Sequence, residues 1–321
     1  MAGPAPHRAV LPPGPAADGA PGAPPSGGAP PRFRIHLGAH KTASTHFQAL
    51  VAANADWLCR HDVHAVPMET LRAAFTAASA AGYRGEPLPD AWEAFAGALP
   101  PGGTVLLSDE NILGEARTAS PAAVPYPKML PRLLHLLELL GLPPDPSARD
   151  LELMLAIRAP GAALLSAWKE GQRWRALPDF ATWLGRARRD RPYWLRLVER
   201  LRDALPGVPV TLWTYEAYAK DPAAFLPLAA GLPPQPGGHG IAPVAARIRP
   251  SPSFAAIEAL RQRRAAPGPA PTRAEIDALL AAPPCTETAD PLTPEETAAF
   301  AAAYRRDLAG LAALGGVTLH A

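Results

Sequence analysis

The chain has little cysteine, little net charge and no long apolar run. Two cysteines among 321 residues, Cys59 and Cys285, cannot make the disulfide framework of small secreted proteins. A net charge of only +2 gives no reason to expect general affinity for nucleic acid or a membrane surface. No apolar stretch approaches the ~20 residues of a membrane helix. We therefore expect a protein of the reducing cytoplasm, without a nucleic-acid partner and without a membrane span.

Metal-ligand patterns are also missing from the sequence. The nine histidines are scattered, and no group of His and Cys has the spacing of a zinc site. We expect no structural metal.

Proline and glycine are abundant, with 42 and 26 residues, and both are concentrated at the start of the chain. Residues 1–31 contain ten Pro, six Gly and eight Ala. Such a segment cannot bury enough apolar surface to offset its chain entropy, so it is predicted to be a disordered tail. Its prolines also interrupt any apolar run of the kind found in a secretory leader. The rest of the chain, residues 32–321, is expected to form a single domain.

Apolar strand patterns alternate with helical patterns through most of this region. The predicted strands are Phe33–Leu37, Val63–Val66, Thr104–Ser108, Leu151–Ile157 and Val210–Trp213. The predicted helices are Ser44–Cys59, Thr70–Ala81, Asp90–Ala98, Pro131–Leu140, Gly161–Arg173, Phe180–Arg188, Tyr193–Leu205 and Pro222–Ala230. This alternation predicts an α/β fold with a central parallel sheet flanked by helices. From about residue 253 to 321 the patterns are helical, which predicts a helical C-terminal part on the same core.

The most informative segment is Arg34–Gln48, which has the pattern of a strand, a tight turn of small residues around one lysine, and a helix. Backbone N–H groups at a helix N-terminus are unpaired and attract phosphate. Lys41 adds a full positive charge, and Ser44 and Thr45 add hydroxyl donors. The segment therefore predicts a phosphate cradle, although an ordinary strand-to-helix connection would have a similar composition.

This turn is not a Walker A loop, because His40 rather than glycine precedes Lys41. It resembles the 5′-phosphosulfate loop of sulfotransferases that use 3′-phosphoadenosine 5′-phosphosulfate (PAPS), whose pattern is Lys, any residue, Gly, Thr, Thr. Ala43 takes the place of the Gly and Ser44 that of the first Thr, and both are small. The resemblance implies that the loop and its flanks bind the donor. These residues are His40, Lys41, Thr42, Ala43, Ser44, Thr45 and His46.

A second segment fits the same resemblance. The apolar run Leu151–Ile157 has the character of a buried parallel strand, and Arg158 follows it directly. In these sulfotransferases, an Arg leaving a strand and a Ser eight residues later hold the 3′-phosphate of the donor, and Ser166 has that spacing. Arginine offers phosphate a planar fork of donors. The alternative is an Arg paired at a strand end and a Ser on a helix face.

A third strand, Thr104–Ser108, ends in Asp109 and Glu110. The resemblance implies a general base that takes the proton of the acceptor, and Glu110 is the first candidate, before Asp109, His40 and His46. A carboxylate that caps the next helix is the competing interpretation. The same strand also resembles a Walker B strand, which would place Asp109 on Mg²⁺ in an ATP-using P-loop enzyme.

The resemblance as a whole implies a P-loop-like sulfotransferase architecture and transfer of a sulfuryl group from PAPS to an acceptor hydroxyl or amine. Lys41 would stabilise the bridging oxygen of the leaving nucleotide. Relatives also have a polar, serine-containing segment that approaches the cofactor, and residues 247–253 fit that description. The alternatives are a P-loop kinase or ATPase and a nucleotide-binding module without catalysis. The acceptor is expected to be a small molecule or a carbohydrate, and the sequence predicts no oligomeric state.

Overall fold

The computed structural model describes residues 30–114, 126–142, 150–185, 193–245, 251–281 and 291–321. Within these ranges six strands form one sheet, in the order β2-β3-β1-β4-β5-β6, and all neighbouring strands are parallel. The strands are β1 (Arg32–His36), β2 (Val63–Ala65), β3 (Thr104–Ser108), β4 (Leu151–Ile157), β5 (Val210–Thr214) and β6 (Val317–His320). The predicted α/β fold with a central parallel sheet is confirmed, and each of the five predicted strands is present.

Helices precede, connect and follow these strands. They are α1 (Ser44–Ala53), α2 (Ala55–Arg60), α3 (Met68–Arg84), α4 (Asp90–Gly97), α5 (Met129–Leu139), α6 (Pro160–Gly171), α7 (Phe180–Leu184), α8 (Trp194–Ala204), α9 (Tyr215–Lys220), α10 (Phe254–Ala265), α11 (Arg273–Leu280) and α12 (Pro294–Ala313). Two stretches of 3₁₀ helix cover Glu110–Ile112 and Pro222–Ala230. Among the helices of the described ranges, none is both long enough and apolar enough to cross a membrane.

The predicted single helix Ser44–Cys59 was wrong, because the chain breaks at Asn54 into α1 and α2. The Asn54 side chain donates to the Leu50 carbonyl at 2.8 Å and to the Ala242 carbonyl at 2.9 Å, and it accepts from the Ala242 N–H at 2.7 Å. A short amide side chain that bonds to nearby backbone competes with the helix ladder. The distant contact with Ala242 was not visible in the local sequence pattern.

Two further predictions need correction. The predicted helix Pro222–Ala230 is a 3₁₀ helix with Pro227 inside it, where proline supplies no N–H for an α-helical bond. The C-terminal part contains α10, α11 and α12, but it is not wholly helical as predicted, since β6 adds a sixth strand beside β5. Residues 1–29 of the predicted tail and residues 186–192, which include the end of the predicted helix Phe180–Arg188, lie outside the described residues.

The two central strands alternate their side chains between two apolar layers. Phe33 and Ile35 of β1 pack in one layer with helices α3, α5 and α8, while His36 faces the opposite layer against Phe47 and Trp213. This alternation follows from the two-residue period of a strand. Because helices cover both faces, most side chains of β1 and β4 are buried.

His36 lies at the centre of the sheet and is fully buried. Its Nδ1 lies 2.8 Å from Ser108 Oγ, and its ring stacks on Trp213 at 5.2 Å between centroids. Burial lowers the pKa of His36 to about 4, although the nearby Glu110 carboxylate works in the opposite direction. In the unfolded chain the histidine has its ordinary pKa of about 6.5, so the unfolded chain binds a proton first as the pH falls.

We expect the contribution of His36 to stability to be complete above pH 6.5 and to be lost as the pH falls towards 4. At about 1.4 kcal/mol per pKa unit, the loss is about 3 kcal/mol. His36→Phe should flatten the dependence of the urea midpoint on pH between about 7.5 and 4.5, whatever its effect at neutral pH. His40, whose pKa is also lowered by burial, stays in both proteins. Parallel curves for the two proteins would contradict this account.

The strand order places three strand ends side by side. β1 lies between β3 and β4, and the connections after β1 and β3 run in opposite directions across the sheet. In open parallel sheets, such a reversal opens a crevice at the carboxyl ends of the strands. Three segments meet there: residues 38–45 after β1, which we term the lysine loop; Asp109 and Glu110 after β3; and Arg158 after β4.

Candidate functional site

The lysine loop folds tightly between β1 and α1. Lys41 and Ala43 have φ values of 69° and 66°, in the left-handed region that favours glycine. Ala43 occupies the position where the loops of the resembled sulfotransferases have glycine. The left-handed backbone at that position explains why glycine is preferred there. The hydroxyls of Thr42 and Ser44 both donate to the Ala39 carbonyl, at 2.5 and 3.1 Å. These bonds hold the loop in its turn.

The hydrogen bonds that shape the loop leave most of its backbone N–H groups free to donate. Within the described residues, the N–H groups of residues 41–45 donate to no protein acceptor, while that of His40 donates to the Tyr126 hydroxyl at 2.9 Å. Unpaired N–H groups at the start of a helix carry partial positive charge. The loop can therefore accept an anion through its main chain.

Lys41 extends from the loop towards α6. Its Nζ lies 3.3 Å from Glu170 Oε2, and the two side chains are 22% and 24% exposed. Burial lowers the pKa of Lys41, and the Glu170 carboxylate opposes that effect. Lys41, which the sequence predicted as a site residue, is thus paired with Glu170, which it did not.

Arg158 is attached to the same loop. Its Nη1 donates to the Lys41 carbonyl at 2.8 Å, and its guanidinium lies 4.2 Å from the centre of the Tyr215 ring. Within the described part of the chain, its Nε is buried and has no acceptor. Trp194 Nε1 donates to the Arg158 carbonyl at 2.6 Å and fixes the backbone there. The structure therefore brings Arg158 and Lys41 together and leaves the buried Nε of the arginine without an acceptor among the described residues.

Ser166 lies in the middle of α6 and is buried. Its Oγ is 2.7 Å from Ser251 Oγ, in the serine-containing segment before α10. Glu170 follows four residues later, so Ser166 and Glu170 share one face of α6. The partner of Glu170 is Lys41, so this face is directed towards the lysine loop as well as the segment at Ser251.

Asp109 and Glu110 at the end of β3 have different surroundings. Asp109 is 2% exposed, accepts from Arg72 Nη2 at 2.6 Å and accepts from the Asn111 N–H at 2.9 Å. Burial raises its pKa, and the Arg72 guanidinium works against that rise. Asp109 therefore fixes the turn after β3, and its oxygens are already engaged.

Glu110 is held from two sides. Gln48 Nε2 donates to its Oε2 at 3.0 Å, and Arg72 Nη2 donates to its Oε1 at 3.2 Å. Burial alone would raise its pKa, but hydrogen bonds from its own N–H and from Gln48, with the charge of Arg72, hold the pKa below its usual range. Glu110 is thus ionised at neutral pH. Because Gln48 belongs to α1, this contact also links the end of β3 to the helix that follows the lysine loop.

His40 in the lysine loop and His46 just after it each face a tyrosine. The His40 ring stacks on Tyr126 at 5.9 Å between centroids, and burial lowers its pKa to about 4 against the influence of Glu110. It is therefore neutral near pH 7. His46 Nδ1 lies 2.8 Å from the Tyr218 hydroxyl, and burial lowers the pKa of His46 as well.

A narrow cleft adjoins His40. It is lined by His40, Tyr126, Ala163, Leu164, Ala167, Tyr193 and Trp194. This lining is mostly apolar and aromatic, and it borders both the lysine loop and α6. Phe47, the aromatic residue that follows His46, is buried against His36 and Trp213 and does not line this cleft.

Two further carboxylates, the partly buried Glu216 and the buried Asp307, support the site from behind. Glu216 accepts from the Ala159 N–H and from the Tyr304 hydroxyl, each at 3.0 Å. Asp307 of α12, which has no exposed surface, accepts from three consecutive N–H groups at the start of α8, at 2.9, 3.3 and 3.0 Å. These contacts fix the N-termini of α6 and α8 around Arg158. Neither carboxylate was identified in the sequence, because their partners lie far away along the chain.

Comparisons with known proteins add little to this geometry. No family model matches the chain, and no curated protein matches it. A solved structure of a sulfotransferase from Alicyclobacillus acidocaldarius is similar over 70% of this chain and 87% of that chain, with 14% identity and a TM-score of 0.39. At that TM-score the similarity supports no conclusion about the site, so the function is argued from the residues themselves.

Proposed function

We propose that this protein is a sulfotransferase that transfers a sulfuryl group from PAPS to a hydroxyl or amine of an acceptor. The observation that carries the proposal is the lysine loop itself, with its unpaired N–H groups, the ammonium of Lys41 and the guanidinium of Arg158 on the Lys41 carbonyl. A main-chain anion site with two cations beside it suits a ligand that carries several phosphate groups.

The proposed roles follow from position. The loop and its flanks, from His40 to His46, bind the 5′-phosphosulfate, while Arg158 and Ser166 bind the 3′-phosphate. The unused Arg158 Nε and the serine pair at Ser251 support the second assignment. PAPS carries phosphate at both the 5′ and the 3′ position of its ribose, whereas a simple nucleoside monophosphate carries it at one. Two separate phosphate sites therefore favour PAPS.

The proposed reaction uses one base and one cation. Glu110 accepts the proton of the acceptor hydroxyl as its oxygen forms a bond to sulfur. The bond between sulfur and the bridging oxygen of the 5′-phosphate breaks, and Lys41 stabilises the charge that develops on that oxygen. We propose a small molecule or a carbohydrate as the acceptor. The scarcity of cysteine supports the cytoplasm as the compartment, and we treat residues 32–321 as one domain.

The test is a thermal-shift panel of 3′-phosphoadenosine 5′-phosphate (PAP), ADP and ATP with Mg²⁺. A ligand at ~100 times its Kd stabilises the folded state by about 2.7 kcal/mol. For a chain of this size that is a shift of several degrees. A shift with PAP but not with ATP and Mg²⁺, followed by turnover of labelled PAPS, supports the proposal. A shift with ATP and Mg²⁺ alone indicates an ATP-using P-loop enzyme, and PAP binding without turnover indicates a nucleotide-binding module.

Arg158→Ala is expected to weaken binding of PAP by roughly 10- to 100-fold, the worth of a charge-assisted hydrogen bond of ~1.5–3 kcal/mol. Binding of adenosine 5′-phosphosulfate, which lacks the 3′-phosphate, should weaken much less. Isothermal titration calorimetry with both ligands measures the difference. Ser166→Ala, which leaves the contact between Arg158 and the Lys41 carbonyl intact, should show the same preference at a smaller magnitude. Equal losses for both ligands would remove these residues from the 3′-phosphate site.

A further inference from the structure

Lys41 is paired with a carboxylate of the same chain at the place where the donor phosphates are proposed to bind. We propose that Glu170 is the internal counter-ion of Lys41, and that an anion entering the lysine loop must displace Glu170 from the lysine. The identity of the ligand, PAPS, rests on the proposed function. The competition between Glu170 and the ligand for Lys41 applies to any anion that binds the loop.

The ion pair is partly shielded from water. The 3.3 Å contact joins side chains that are each about three-quarters buried, so it is screened less than a surface pair. Burial alone would raise the pKa of Glu170, but Lys41 and Arg173 hold it below its usual range, so the carboxylate is ionised. An anion can therefore gain the full charge of Lys41 only by competing with Glu170.

Glu170 has a second partner that remains when Lys41 leaves. Arg173 Nε donates to Glu170 Oε1 at 3.1 Å, and Arg173 also pairs with Asp277 of α11. A buried charge that loses every partner is strongly unfavourable. Because Arg173 stays in place, the release of Lys41 does not leave the Glu170 carboxylate without a cationic partner.

The backbone of Lys41 does not need to move in this exchange. Arg158 holds the Lys41 carbonyl at 2.8 Å, and Ala39 accepts the two hydroxyls that brace the loop. The flexible lysine side chain can rotate from Glu170 to an anion while the loop keeps its shape. Glu170 would thus mask the lysine charge against weakly charged anions and yield to ligands with several phosphate charges.

The experiment measures binding of inorganic pyrophosphate and of PAP by calorimetry at low salt. Glu170→Gln should bind pyrophosphate about tenfold more tightly than the wild-type protein, because the competing carboxylate has lost its charge. Asp277→Asn is the matched control, since it removes one negative charge from the same network without touching Lys41. Its affinity should stay within about twofold of wild type. Unchanged or weaker pyrophosphate binding by Glu170→Gln would overturn the proposal.

A double-mutant cycle separates displacement from a general effect of charge. In a Lys41→Met background, Glu170→Gln should improve pyrophosphate binding by less than about twofold, because no lysine remains to be released. An equal gain in both backgrounds would overturn the proposal. If Glu170→Gln does not fold, Glu170→Ala provides the same comparison. Failure of PAP to bind any of these proteins would refute the proposed function, whereas the pyrophosphate results decide the role of Glu170 independently.

Discussion

Glu110→Gln is expected to lower the turnover of PAPS by about 10²–10⁴-fold, the usual contribution of a general base. Glutamine keeps the shape of the side chain and can still accept from Gln48, but it cannot take a proton from the acceptor. The affinity for PAP should stay within about twofold of wild type, because the lysine loop and Arg158 are untouched. Steady-state turnover, PAP calorimetry and the melting temperature should be measured on the same preparation.

The neighbouring carboxylate supplies a matched control. Asp109→Asn removes the same charge one residue earlier, where the side chain pairs with Arg72 and caps the turn after β3. It should lower the melting temperature more than Glu110→Gln and lower turnover less. A Glu110→Gln protein that turns over normally but is less stable by ~0.5–2 kcal/mol would show that Glu110 is only a cap. The base would then have to be sought at His40, His46 or Asp109, in that order.

Lys41→Ala should lower turnover by about 10²–10³-fold, as expected when a group that stabilises a developing negative charge is removed. Binding of PAP should weaken by about tenfold or less, because the backbone N–H groups of the loop still hold the phosphate. The melting temperature should change little, since Glu170 keeps its pairing with Arg173. Single-turnover measurements with labelled PAPS separate the chemical step from binding.

Lys220→Ala, an exposed lysine at the end of α9, serves as the control for simple loss of positive charge. It should leave both turnover and PAP affinity unchanged. Near-normal kcat in Lys41→Ala would remove Lys41 from the mechanism. Equal losses of PAP affinity and turnover would make it a binding residue alone.

Local patterns were sufficient to predict most of the sheet. β3 and β4 are largely apolar runs whose side chains are mostly buried on both faces, and such runs are readily recognised in a sequence. β6 has only four residues and no fully buried side chain, so it lacked this signal. The break at Asn54 was missed for a different reason, since its cause is a hydrogen bond to a carbonyl 188 residues away.

The residues of the candidate site also fall into two groups, those that the sequence predicted and those that it did not. Lys41, Glu110 and Arg158 each lie in the segment that follows a strand, so parallel strands place them at one edge of the sheet. Their partners could not be predicted, because side-chain contacts between elements depend on packing rather than on local composition. Glu170 lies 129 residues from Lys41 along the chain. Arg72 of α3 carries no motif that would mark it as the partner of Glu110.

The carboxylate of Asp307 has a consequence for the order in which the molecule assembles. It caps the start of α8 from 112 to 114 residues further along the chain, and Trp194 in that cap holds the carbonyl of Arg158. Closing so long a loop carries an entropic cost that must be met before the contact contributes to stability. A ribosome-bound chain that already contains Lys41, Glu110 and Arg158 therefore still lacks the carboxylate that completes their support. The backbone support of Arg158 is therefore completed only when α12 docks against α8.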